Sequence, residues 1–166
     1  MNARDDSRDK SALGARVKAA RVRLGRVPVS EHLEAGPTDP KTGESWHRGH
    51  VLGHMSEMMP FWIDQLRRAG AGSGEVGRDQ PGYQHRREGI DRGGAAATEA
   101  DLRRDVDEGL AGVLELLDAL TPADLNRTVI YHRRDNGDSE ERVGELVQSL
   151  LVVHIEEHLD QLDSLR

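Results

Sequence analysis

The chain has 166 residues, the length of one domain, with a formal net charge of −7 and no cysteine. The missing cysteine excludes disulfides, thiolate metal sites and cysteine nucleophiles, so a transition-metal site would need His, Asp or Glu ligands. Residues 27–166 carry 15 Lys/Arg against 27 Asp/Glu, and such an acidic body argues against nucleic-acid binding, which needs a basic surface.

The N-terminal residues do not resemble a targeting signal. Residues 1–10 are polar and charged, with no apolar run after them. The longest apolar run, residues 150–153, is far too short to span a bilayer. The sequence therefore predicts a cytoplasmic protein without a membrane partner, with a disordered tail over 1–10 and a single domain over 11–166.

Two helices joined by a long connection are predicted in the first part of the chain. Apolar residues spaced three and four apart predict a helix over 11–24, with Ser11 as its N-cap and Gly25 as its stop. Prolines and glycines interrupt the connection over 25–45.

The second predicted helix runs from Glu44 or Ser45 to Ala69. Pro60 lies inside it and should kink or split it, because proline removes a backbone hydrogen bond. Residues 70–82 are rich in glycine and predict a linker.

A third strong helix is predicted to start near Thr98, where Asp101 completes a sequence typical of a capping box. The segment before it, residues 83–97, is ambiguous, because the Gly93-Gly94 pair weakens a helix there.

The C-terminal part predicts a short helical turn over Pro122–Leu125 and then a small hairpin or extended loop within 127–143. Strand-forming residues and an Asn136-Gly137 turn indicate the hairpin. The last helix is predicted over 142–165. The predicted fold is all-α, a four-helix bundle with a short hairpin or extended loop before the last helix.

Two histidines on the last predicted helix have metal-ligand spacing. His154 and His158 are four residues apart, so their rings lie on one face of a helix. They continue an apolar stripe, and both rings are therefore expected to point into the bundle. Two imidazoles at this spacing can bind one ion together.

A third inward histidine is predicted on the second helix. His54 is in register with Val51 and Met55, so it should face the core. His50, one turn earlier, can face the same way and is the rival of His54, whereas His47 is expected to be exposed. Three converging imidazoles without a cation would be costly to bury, which favours a metal site.

Two other metal motifs fit the sequence poorly. The run from His154 to His158 matches the inverted zinc-protease pattern, with Glu157 as base, but that site needs a third ligand well downstream. The forward protease pattern needs Glu where Ile155 stands. A ferritin-like di-iron site needs Glu-x-x-His on two helices, which the sequence does not provide.

The tract from Trp46 to His54, followed by Ser56-Glu57, and the tract from residue 142 through 162 together resemble the DinB superfamily. The resemblance implies an up-up-down-down bundle with one divalent ion in a pocket at one end. The metal ligands it implies are His54, His154 and His158.

The same resemblance implies an activity, because the superfamily includes mycothiol- and bacillithiol-dependent enzymes such as the maleylpyruvate isomerases. The expected function is a metal-dependent transferase or isomerase that uses a low-molecular-weight thiol against a small electrophile. Zinc or nickel is the expected ion. The alternative is a non-catalytic metal-binding bundle or a stress-related interaction module.

No general acid or base can be assigned from the sequence. Glu57, Glu157 and Gln161 are the polar residues nearest the histidines, and a solvated or supporting role is favoured for all three. A homodimer is also expected, because bundles of this family often pair and Met58, Met59 and Trp62 can supply an apolar patch.

Overall fold

The computed structural model describes residues 9–30, 34–40, 43–95, 98–134 and 137–165. The described chain is mostly helical, as predicted, with one small sheet. The first five helices are α1 (Lys10–Arg26), α2 (Arg48–Gly70), α3 (Gln80–Ala95), α4 (Glu99–Ala119) and α5 (Pro122–Leu125). The strands are β1 (Glu75–Gly77), β2 (Thr128–Arg133) and β3 (Gly137–Arg142). The C-terminal helix consists of α6 (Val143–Val147), a π-helical segment (Gln148–Val153) and α7 (His154–Ser164).

The first helix starts one residue earlier than predicted. The Asp9 carboxylate, rather than the Ser11 hydroxyl, caps α1, and it accepts hydrogen bonds from the backbone N–H groups of Ser11 and Ala12. The helix also continues through Gly25, so both predicted end signals are wrong. Most of the predicted N-terminal tail, residues 1–8, lies outside the described residues.

The second helix begins later than predicted and is not split. It starts at Arg48, because the His47 ring is the N-cap and accepts the N–H of Gly49. It then runs unbroken past Pro60 to Gly70. Pro60 lies on the exposed side, where the backbone carbonyl left without a partner can bind water.

The ambiguous segment before Thr98 is helical through Ala95, because its glycines fit against glycines of α2. Gly49 and Gly53 of α2 face Gly93 and Gly89 of α3 so closely that an added Cβ at any of the four would collide with the other helix. A Cβ on Gly53, for example, would lie 2.9 Å from the Gly93 Cα atom. Tertiary packing therefore outweighs the poor helix propensity of this segment.

The predicted hairpin is present within 127–143. Strands β2 and β3 pair antiparallel, and Gly137 adopts a positive φ of 69° at the turn. The sheet has a third strand that the sequence analysis missed, because β1 lies in the segment predicted to be a linker. It pairs parallel to β2, giving the order β1-β2-β3. Only three residues long, β1 shows no detectable alternation.

One buried arginine joins the ends of several helices. Arg48 is only 2% exposed. Its guanidinium donates to the backbone carbonyls of Pro28 (2.6 Å), Leu162 (3.3 Å) and Leu165 (3.3 Å), and to the Glu99 carboxylate (2.9 Å). Burial by itself would raise the pKa of Glu99, but hydrogen bonds from Arg48 and Arg103 outweigh it and lower that pKa. This arginine fixes the start of α2 against the end of α7.

The surface offers little apolar area among the described residues. Met58, Met59 and Trp62, predicted to form a dimer patch, are buried in the core, and that part of the prediction is wrong. The homodimer stays a prediction without this support. Within the described ranges, no helix has the length and apolar character needed to cross a membrane.

The glycine contact between α2 and α3 can be tested by one substitution. Gly53→Ala should lower the free energy of unfolding by about 1–3 kcal/mol, because the added methyl forces the two backbones apart. The matched control is Gly14→Ala in α1, where a Cβ meets nothing within 4 Å. That change should raise stability by about 0.5–1 kcal/mol. Urea unfolding measures both, and equal effects of the two substitutions would contradict the packing argument.

Candidate metal centre

Three histidine rings from two helices meet at one point. His54 lies on α2, and His154 and His158 lie on α7. Ring centroids are 4.6 Å apart for His154 and His158, 4.9 Å for His54 and His158, and 5.4 Å for His54 and His154. One nitrogen from each ring lies within 4.8 Å of the others, so the group could hold a metal ion. Within the described ranges, no fourth His, Asp or Glu joins this group.

The π-helical segment directly before His154 sets the direction of the two α7 rings. Its i→i+5 hydrogen bonds make a wider turn, which shifts the helix face. Consequently Leu150 is only partly buried, whereas Ile155 and Leu159 complete the buried face. The apolar stripe predicted for this helix included Leu150 and left out Ile155 and Leu159, so it is wrong at these three positions. His154 and His158 lie at the edge of the core and line a cavity.

The hydrogen bonds of the rings leave nitrogens available as ligands. His158 Nδ1 lies 3.0 Å from Gln161 Oε1, an acceptor, which keeps the proton on Nδ1. His158 Nε2 is buried and has no hydrogen-bond partner among the described residues, and the same holds for His54 Nδ1. A backbone hydrogen bond to Leu150 engages the His154 ring. Buried polar atoms without partners are costly, and a cation would satisfy such nitrogens.

All three histidines favour the neutral form, which is the form that binds metal. Burial, followed by the nearby His158 and His154 rings, lowers the pKa of His54 far below its ordinary value. Burial and the neighbouring His158 lower the pKa of His154 to about 3. Burial also lowers the pKa of His158, although the hydrogen bond to Gln161 acts in the opposite direction.

A cavity of about 230 Å³ adjoins the three rings. Besides the histidines it is lined by Pro37, Asp39, Glu44, Trp46, Arg86 and Gln161. Trp46 forms one wall: its ring is 5.3 Å from that of His54, edge to face, and 6.1 Å from that of His158, stacked. A three-histidine group beside a cavity leaves room for a further, exchangeable ligand.

Neither of the two glutamates considered in the sequence analysis, Glu57 and Glu157, is among the residues that line the cavity. Glu57 is buried rather than solvated, and it forms a two-pronged salt bridge with Arg78 at 2.6 and 3.0 Å. Its Oε2 atom lies 3.9 Å from His54 Nδ1, too far for a hydrogen bond. Glu157 is exposed. Sequence analysis missed Arg78 and Arg86, because both lie in segments without apolar periodicity.

The remaining histidines stay outside the group. The ring of His50, the rival of His54, is tilted against the ring of His47 with their centres 3.8 Å apart, and its Nδ1 atom accepts the backbone N–H of His47. His47 is the helix cap and partly buried, so its predicted exposure is wrong. His85 is exposed, and His132 bonds to Asp138 on the hairpin.

Comparison with known proteins supports the resemblance seen in the sequence. A family model of the DinB superfamily matches residues 15–162. Searches of curated proteins and of solved structures gave no match.

The lowered pKa values predict a specific loss of stability in acid. In the metal-free folded protein, His154 stays neutral down to about pH 3. In the unfolded chain it takes up a proton below about pH 6.5. Between about pH 6.5 and pH 3 the unfolded state therefore binds more protons than the folded state. The free energy of unfolding should decrease as the pH is lowered through this range, by about 1.4 kcal/mol per pH unit for each such histidine.

His154→Gln should therefore reduce the slope of unfolding free energy against pH by about 1.4 kcal/mol per pH unit. His85→Gln, which replaces an exposed imidazole of α3, is the matched control and should leave the slope unchanged. Denaturant unfolding at several pH values measures the slope for each variant. Identical slopes for His154→Gln and wild type would refute the buried neutral imidazole.

Proposed function

The chain belongs to the DinB superfamily, and from this we propose that His54, His154 and His158 hold one divalent metal ion at the centre of a small-molecule site. The proposed reaction joins a low-molecular-weight thiol to a small electrophile, or isomerises the electrophile with help of the thiol. We also assign α1, α2, α4 and the C-terminal helix to the four-helix bundle of the family.

The observation that carries the proposal is the convergence of three neutral imidazoles beside a cavity. Their nitrogens lie within 4.8 Å of one another, and the buried Nε2 atom of His158 has no hydrogen-bond partner among the described residues. Imidazole suits zinc and nickel, and those are the ions we propose. Gln161 would orient His158 through its Nδ1 atom, as residues behind a metal ligand commonly do.

The chemistry follows from the donor set. A divalent ion in this position would lower the pKa of a bound thiol and favour the nucleophilic thiolate near neutral pH. The chain has no cysteine, so the sulfur has to come from a cofactor thiol of the mycothiol or bacillithiol type. Trp46 would exclude water from one side of the cavity.

The size of the cavity limits the ligand. At about 230 Å³ it is smaller than the roughly 300–1,000 Å³ typical of pockets for drug-sized ligands. We therefore propose that the electrophile and the sulfur end of the thiol occupy it, while the rest of the thiol lies outside. The alternative function is a metal-binding bundle without catalysis, as in a stress-related interaction module.

Metal content tests the site directly. His158→Ala should lose most bound zinc or nickel, because two imidazoles make a weak site. His85→Ala, the same substitution on an exposed histidine, should retain the wild-type stoichiometry. Elemental analysis after dialysis against limiting metal measures both. Full metal content in His158→Ala would exclude these ligands.

Thiol dependence separates the enzyme from the non-catalytic alternative. Metal-loaded protein should accelerate conjugation or isomerisation of small electrophiles only when a low-molecular-weight thiol is present. His158→Ala should lose this rate, and His85→Ala should keep it. A panel of electrophiles assayed with and without mycothiol or bacillithiol is the measurement. Stoichiometric metal without thiol-dependent turnover across the panel would favour the non-catalytic bundle.

A further inference from the structure

The cavity beside the histidines contains one cation that is not paired. Arg86, on α3, lines the cavity, and its guanidinium carbon lies 5.8 Å from the centre of the Trp46 ring. The side chain is half-buried. Among the described residues, no carboxylate lies within salt-bridge distance of its guanidinium and no hydrogen-bond acceptor is engaged by it.

The other partly or fully buried arginines among the described residues are paired. Arg16 binds Glu156 at 2.8 Å through its Nε atom, Arg48 binds Glu99 at 2.9 Å, and Arg78 binds Glu57 at 2.6 Å. Burial without such a partner is unfavourable for a cation. Burial lowers the pKa of Arg86, which is consistent with a charge that has lost water without gaining a carboxylate partner. The side chain is thus held in a place where a negative group from outside the chain would be stabilised.

The carboxylates that line the same cavity do not pair with the Arg86 guanidinium. Glu44 forms an ion pair with Arg87 at 3.2 Å, and its charge only partly offsets the burial of Arg86. Asp39 also lines the cavity and has other interactions. The Arg78 guanidinium, another cation that acts on Arg86, is paired with Glu57.

We propose that Arg86 binds the carboxylate of a small ligand in this cavity, so that the site selects substrates carrying a carboxylate. A guanidinium presents a planar fork of N–H groups that matches a carboxylate with two parallel hydrogen bonds. Anchored at Arg86, the ligand would have its uncharged end directed to the histidines across the same cavity. This inference rests on the proposed function, because it names the substrate class of that site.

The position of Arg86 is fixed by the backbone rather than by a flexible loop. Arg86 lies one turn before Gly89 on α3, and Gly89 and Gly93 hold that helix directly against α2, which carries His54. A Cβ on Gly89 would lie 2.5 Å from the Glu57 Cβ atom. The backbone of Arg86 is therefore placed relative to the histidines by a contact between two helices, as a selective site requires.

The test compares ligands that differ only in charge. Metal-loaded wild type, Arg86→Gln and Arg86→Lys are titrated with monomethyl fumarate and with its neutral amide by calorimetry. A second arm uses 3-mercaptopropionate and its amide, which distinguishes a carboxylate on the electrophile from one on the thiol. Arg92→Gln is the matched control, since Arg92 lies on the same helix, pairs with Asp105 and is outside the cavity.

Wild type should bind the acid at least about 10-fold more tightly than the amide in one of the two arms. Arg86→Gln should remove this preference, Arg86→Lys should retain part of it, and Arg92→Gln should leave it intact. Equal affinities for acid and amide in wild type, or an undiminished preference in Arg86→Gln, would overturn the proposal.

Metal content separates this outcome from failure of the metal site. Arg86→Gln should bind at least as much zinc or nickel as wild type, because it keeps all three histidines and removes a positive charge that acts on them. If wild type binds no metal, the proposed function fails. A preference of wild type for the acid over the amide, abolished in Arg86→Gln, would still support carboxylate binding by Arg86.

Discussion

The close approach of α2 and α3 is the constraint on which the site depends. Four glycines allow the two backbones to touch, and no other residue would fit at these positions without moving one helix. The first turns of α2 carry His54, and α3 carries Arg86, so one contact fixes both an imidazole and a cation around the same cavity. The poor helix formers of α3 are thus required by packing, and their low propensity is compensated by the contact they permit.

A second constraint acts where the start of α2 meets the end of α7. The Arg48 guanidinium donates hydrogen bonds to carbonyls at the end of α7 and to the partly buried Glu99 carboxylate at once, which the planar fork of an arginine allows. The end of α7 is thereby held against the start of α2, the two helices that carry the three histidines. Buried charge here fixes the relative position of elements, the use of buried ion pairs that has the best support.

The sequence predicted the strong helices, the hairpin and the three converging histidines, because each has a local signal in apolar spacing or turn residues. It failed where the deciding interaction is long-range. Nothing near Gly93 reveals that a second helix of glycines lies opposite, and β1 is recognisable only through its pairing with β2. Capping was misjudged for a related reason: Asp9 and Ser11 are both good caps, and only the folded backbone decides between them.

The π-helical segment limits how this site could be reproduced elsewhere. A helix with α geometry throughout would turn the face carrying His154 and His158 by roughly 100° relative to Val143 and Leu146. A designer who copied the histidine spacing onto a straight scaffold would then have to choose between a packed core and a convergent ligand set. The widened turn of the π-helical segment allows a packed core and convergent histidines in the same helix. A design that transfers this site should therefore include the π-helical segment together with His154 and His158.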